Sequence, residues 1–135
     1  MHQDSTTLIQ SIAHLLHSKK GSSLLAIDVR GVSTLTDYII LANGNIERHV
    51  IALANEVIQF LENQGSTPSY IEGLSHGDWV VIDYLELIIY LFIPSFREKY
   101  RLEQLWKNGK IIDLHEIQNN ICLLYTSDAA DERSS

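Results

Sequence analysis

The hydrophobic positions of this chain change period several times, and each change marks an element. Leu8, Ile12, Leu15 and Leu16 recur at helical spacing and predict an amphipathic helix over 6–19, with Ser5 as its N-cap and Lys19-Lys20-Gly21 as its end. Leu24 to Val29 is a short apolar run closing on Asp28-Val29-Arg30-Gly31, which reads as a strand and a turn. Tyr38 to Ala42 is a second strand. Asn43-Gly44-Asn45 breaks it, and here glycine is expected to supply a positive φ while Asn45 caps a second helix. That helix is the clearest in the chain. Ile46, Val50, Leu53, Val57 and Leu61 form its buried stripe, and Gly65 with Pro68 ends it.

Tyr70-Ile71 predicts a short strand before Glu72-Gly73. Trp79 to Tyr84 and Leu87 to Phe92 are nearly continuous apolar runs, the pattern of strands covered on both faces. So short a connection between them predicts an antiparallel hairpin. Pro94-Ser95-Phe96-Arg97-Glu98 reads as a helix start with Ser95 and Glu98 at capping-box spacing, after which Leu102, Leu105 and Trp106 pack back on the body. The order predicts a single α/β domain with a mixed sheet of about five strands flanked by helices. The pattern fades after Asp113-Leu114. The domain is expected over 1–122, and 123–135 reads as a cloning-derived or disordered tail.

Composition narrows the function classes. A chain of 135 residues forms one domain that buries roughly two-thirds of its unfolded surface. It carries 17 Asp and Glu against 10 Lys and Arg, a net charge of −7. That balance argues against general binding of phosphate backbones, and suits a basic protein partner. Plain solubility is the bland alternative. Cys122 is the one cysteine, so no internal disulfide forms. The first residues lack a leader pattern, and no apolar run is long enough to span a membrane. The expectation is a soluble cytoplasmic protein without membrane contact.

Candidate chemistry is thin. His14 and His17 lie three apart on a predicted helix but have no third ligand nearby, and His49 and His76 sit near turns without ligand spacing. Gly44-Asn45 before a helix, with Arg48, suggests an anion site, but there is no GxGxxG and no P-loop lysine. Asp28, Asp83 and Glu86 are scattered acids that could hold Mg²⁺ only if the fold gathered them, and the chain has no Asp-x-Asp pair. A divergent metal-dependent nucleotidyltransferase is therefore one alternative, and a homodimeric adaptor another. No catalytic residue, cofactor or metal ligand is expected. Trp79, Arg97, Tyr100 and Trp106 fit either core or contact roles.

A series of short motifs carries more. Asp28-Val29-Arg30-Gly31, Thr36-Asp37-Tyr38, Gly44-Asn45, Arg48-His49-Val50, Glu72-Gly73, Trp79-Val80-Val81-Ile82-Asp83-Tyr84 and the block Arg97 to Trp106 occur in an order and spacing that resembles the ribosomal silencing factor (Iojap/RsfS) family. The resemblance implies a nucleotidyltransferase-like fold without the catalytic motif. It also implies a non-enzymatic protein that binds the large ribosomal subunit through that subunit's fourteenth universal protein, excludes the small subunit sterically and represses translation. If so, Trp79, Asp83, Arg97, Glu98 and Tyr100 are the expected contact residues, chosen for their chemistry and position. Two departures stand out. Leu85-Glu86 occupies the hairpin where the family has Gly-Asp, which would strain a leucine at positive φ or change the turn. Tyr90 stands where a histidine is common.

Overall fold

The computed structural model describes residues 5–101 and 107–114. In chain order the elements are α1 (Ser5–Ser18), β1 (Ser22–Asp28), β2 (Tyr38–Asn43), α2 (Glu47–Glu62), β3 (Tyr70–Glu72), β4 (Trp79–Asp83), β5 (Leu87–Phe92), α3 (Pro94–Tyr100) and β6 (Lys110–Ile112). One six-stranded sheet runs β3-β4-β5-β2-β1-β6. The β2–β5 pair is parallel and the other pairs are antiparallel, so the expected mixed sheet is present with one strand more than predicted. The extra strand, β6, is a three-residue edge that pairs with the end of β1. Packing of Leu102, Leu105 and Trp106, Cys122 and the tail at 123–135 lie outside the described residues.

Helices α1 and α2 cover one face. Ile9, Ile12 and Leu16 from α1 and Val50, Leu53, Val57 and Leu61 from α2 meet Ile40, Val80, Ile82, Ile89 and Leu91 from the sheet. Burying such side chains contributes about 1.5–3 kcal/mol each, which is why the helical stripes decide the packing. On the other face Ile27, Val29, Ile39, Leu41 and Phe92 form a second cluster, with Phe96 of α3 packed against it. β2 and β5 are thus largely buried on both faces, as the continuous apolar run of β5 predicts. β4 is not: Trp79, Val81 and Asp83 on its second face are only half-buried, which corrects the expectation for that strand.

Several local expectations need correction. Gly44 does not have positive φ. It is demanded by close approach: a Cβ there would lie 2.8 Å from Cγ2 and 2.9 Å from N of Val50, where α2 crosses the end of β2. Asn45 does not cap α2. The N-cap is Ile46, with no side-chain bond, and the polar link runs the other way, from Asn45 N–H to Nδ1 of His49 at 2.8 Å. Nδ1 must therefore be the acceptor, which puts the proton on Nε2, 2.9 Å from the carbonyl of Lys19 at the end of α1. The Ser95–Glu98 capping box is also absent. Pro94 takes the first helical position and Ile93 the N-cap, which moves Ser95 inside the helix.

Candidate functional site

Alternation along β4 and β5 sorts the site. Val80 and Ile82 point to α1 and α2, so Trp79, Val81 and Asp83 point to the other face. Phe92 lies opposite Trp79, Tyr90 opposite Val81, and Ile88 opposite Asp83. One end of this face is aromatic. Trp79 stacks on Phe96 with ring centroids 5.9 Å apart, and Phe96 meets Tyr100 at 4.5 Å. Phe96 lies 6.2 Å from Phe92 below it. Offset and tilted pairs at such distances contribute about 0.5–1.5 kcal/mol each beyond burial. The stack leaves Tyr100 52% exposed at its outer end.

Arg97 sits on the inner side of α3. Its Nη1 donates to the carbonyl of Ser23 at 2.6 Å and to Oδ1 of Asn43 at 2.9 Å, and its guanidinium lies 5.6 Å from the Phe92 ring centroid. The side chain ties α3 to the ends of β1 and β2. Glu98, the next residue, is exposed. Asp83 is not part of this cluster. It lies four residues along β4 from Trp79, about 13 Å away at the usual strand rise. Its Oδ1 accepts the N–H of Leu85 at 2.7 Å and so also shapes the hairpin turn. The sequence-selected residues therefore form an aromatic end, made by Trp79 and Tyr100 with Arg97 behind it and Glu98 alongside, and an acidic end at Asp83.

Sequence reasoning missed three residues of this surface. Phe96 is the ring that joins Trp79 to Tyr100. Tyr70 pairs with Asp83, and Glu72 with Val81, which brings both side chains onto the same face from β3. Only the strand register reveals them. The Glu72-Gly73 motif also has a backbone reason. Gly73 has φ +98°, and a Cβ there would lie 2.0 Å from the carbonyl oxygen of Trp79. On the face itself, burial pushes the Tyr90 phenol above its ordinary pKa, and the neighbouring Asp83 charge adds to this.

The acids weighed for metal chemistry do not gather as a ligand set among the described residues. Strands β5 and β2 lie between β4 and β1, so Asp83 and Asp28 are about 14 Å apart in the sheet direction. Asp28 instead pairs with Arg30, Oδ2 to Nη2 at 2.7 Å, and that hydrogen bond holds its carboxyl below the usual range. Among the described residues no three His, Cys, Asp or Glu side chains gather as a metal set. Nor is any described helix long and apolar enough to cross a membrane.

Comparison with known proteins agrees with the fold and the motifs. The family model described as "RsfS: Ribosomal silencing factor during starvation" matches residues 2–134. The ribosomal silencing factor of Bacillus subtilis is 30% identical over 114 residues, covering 84% of this chain and 95% of that protein. That of Haemophilus influenzae is 33% identical over 99 residues, covering 73% and 97%. A mouse protein named mitochondrial assembly of ribosomal large subunit protein 1 is 29% identical over 101 residues, covering 73% of this chain and 44% of its own length. A crystal structure from Chromobacterium violaceum superposes with a TM-score of 0.74 at 28% identity, covering 77% of this chain and 87% of that one. One from Bacillus halodurans gives 0.71 at 28% identity, covering 81% and 99%. With its family model matched over nearly the whole length, the chain belongs to the RsfS family of ribosomal silencing factors.

Proposed function

We propose that this chain binds the large ribosomal subunit through that subunit's fourteenth universal protein and sterically blocks joining with the small subunit, lowering translation. The observation that carries the reading is the family match over 2–134. The mouse relative, whose name refers to large-subunit assembly, points to the same subunit. The geometry favours a contact role: an aromatic stack ending in an exposed Tyr100, beside acids on a protein of net charge −7, suits a basic protein better than bare phosphate. In this reading Trp79, Asp83, Glu98 and Tyr100 touch the partner, and Arg97 presents Glu98 and Tyr100 by holding α3. Exclusion needs no bond chemistry, only occupancy of a shared face, and it acts where ribosomes work in the cytoplasm.

Co-sedimentation with separated ribosomal subunits tests this. The protein should pellet with large subunits, and adding small subunits should then yield fewer coupled particles. Pelleting with small subunits, or with neither, overturns the reading.

A further inference from the structure

β3 is the edge strand beside β4, and its register is fixed by three pairs, Tyr70 with Asp83, Ile71 with Ile82 and Glu72 with Val81. Directly paired residues project to the same side of a sheet. Tyr70 and Glu72 therefore extend the face of Trp79, Val81, Asp83 and Tyr90. Tyr70 is 53% exposed, and its hydroxyl donates to Oε1 of Glu72, fixing that carboxylate over the sheet. Glu72 and Asp83 are diagonal neighbours across Val81, a spacing of about 7–8 Å at the backbone. Strands β3, β4 and β5 contain no lysine or arginine, so no cation of these strands neutralises the two acids.

A pair of carboxylates beside a half-exposed phenol ring, with an aliphatic side chain between, matches the chemistry of a guanidinium. Its edge takes charge-assisted bonds and its flat face stacks on an aromatic ring. A phosphate would meet two like charges here. We propose that Glu72, held by Tyr70 and assisted by Asp83, receives an arginine side chain of the basic protein on which this chain docks. The inference rests on the large-subunit reading above and deepens it: the aromatic end supplies contact area, and the β3 end selects a basic partner.

The test is binding to isolated large subunits by co-sedimentation across a range of KCl concentrations. Glu72→Lys should weaken binding by at least about tenfold, because it sets like charges face to face. Glu72→Gln, which keeps shape and removes charge, should weaken it by about threefold to tenfold and flatten the salt dependence. Glu62→Lys makes the same change in net charge on α2, on the opposite layer, and should bind as the wild type does. Circular dichroism checks each variant's fold, and the isosteric Glu72→Gln decides the matter if the lysine variant unfolds. Wild-type affinity in Glu72→Gln overturns the inference. So does equal loss in Glu62→Lys, which would show a general field effect. Tighter binding by Glu72→Lys would mean that this edge faces RNA phosphate. If the wild type itself does not bind large subunits, the reading of function falls and this inference falls with it.

Discussion

Arg97 Nη1 donates to Oδ1 of Asn43 across 2.9 Å, joining the helix that carries Tyr100 to the end of β2, 54 residues earlier in the chain. Asn43 is buried, so its carbonyl oxygen has little water to fall back on. α3 itself buries no residue fully, and its position depends on this bond, the one to Ser23 and the Phe96 contacts.

Removing the acceptor should loosen the helix more than the core. Asn43→Ala should cost about 1.5 kcal/mol, the low end for a hydrogen bond to a charged group. Urea unfolding measures this. Native-state hydrogen exchange should quicken in 94–100 before it changes in the inner strands. Unchanged stability together with unchanged exchange in α3 would show that the bond to Asn43 does not anchor the helix and leave that role to the bond with the Ser23 carbonyl.

The hairpin stores strain that can be released. Leu85 has φ +75° and is 66% exposed, while Glu86 N–H bonds the Tyr84 carbonyl at 2.9 Å, closing a three-residue turn around it. The leucine at this position thus keeps the positive φ rather than escaping it. A non-glycine residue held there costs of order 1–3 kcal/mol, against about 0.5–1 kcal/mol of entropy lost by glycine. Leu85→Gly should therefore stabilise the fold by about 1 kcal/mol and raise Tm by about 4 °C. Thermal unfolding followed by circular dichroism checks it, and a lower Tm would refute the strained turn.

Much of this fold was legible because its signals are local. The stripe of Val50, Leu53, Val57 and Leu61 could only be buried as a helix face, and the runs Trp79–Asp83 and Leu87–Phe92 could only pair across a short turn. What was missed depends on contacts between distant residues. Lys110-Ile111-Ile112 is too short to declare itself and becomes a strand only because β1 offers an edge. Gly44 looked like a turn glycine, whereas its constraint comes from Val50 on the crossing helix. Trp79 and Tyr100 were readable as aromatics but not as one stack, since Phe96 joins them only after α3 folds back. Glu72 entered the candidate surface through its register with Val81, which no spacing along the chain encodes.

Tyr84 gives a prediction of the opposite sign to most core substitutions. Among the described residues its buried hydroxyl has no hydrogen-bond partner, and it borders a cleft of about 390 Å³ lined by Leu8, Leu61, Ser66, Thr67, Glu86 and Leu87. Desolvation, with a smaller contribution from Glu62, pushes the phenol up to about 12. A group whose folded pKa is raised contributes stability that is fully present below its unfolded value, near 10, and lost as pH rises through about 12. In alkaline titration followed by tyrosine absorbance, the Tyr84 phenol should contribute a late-ionising step of its own, beside those of Tyr90 and Tyr70, whose pKa values are also raised. Tyr84→Phe should abolish that step and stabilise the protein by about 1 kcal/mol near neutral pH, by removing an orphaned hydroxyl. Destabilisation of that size would mean that the hydroxyl has a partner in solution.

The contact surface is best tested from its exposed end. Trp79 is half-buried against Phe96, so Trp79→Ala removes packing as well as any contact with a partner. Tyr100 lies outermost and is 52% exposed, so Tyr100→Ala should cost little beyond its ring pair with Phe96, about 0.5–1.5 kcal/mol. If either aromatic is a centre of binding energy, its loss should cost on the order of 2 kcal/mol, about thirtyfold in affinity for the large subunit. Phe96→Ala should weaken binding further than Tyr100→Ala, because it removes the ring that positions the other two, and it should also lower the midpoint of urea unfolding. Affinities from co-sedimentation, compared with those midpoints, separate contact from support. Strong loss of binding with no more than that small loss of stability in Tyr100→Ala marks a contact. Normal binding by folded Trp79→Ala and Tyr100→Ala would move the docking surface elsewhere on the molecule while leaving the silencing function intact.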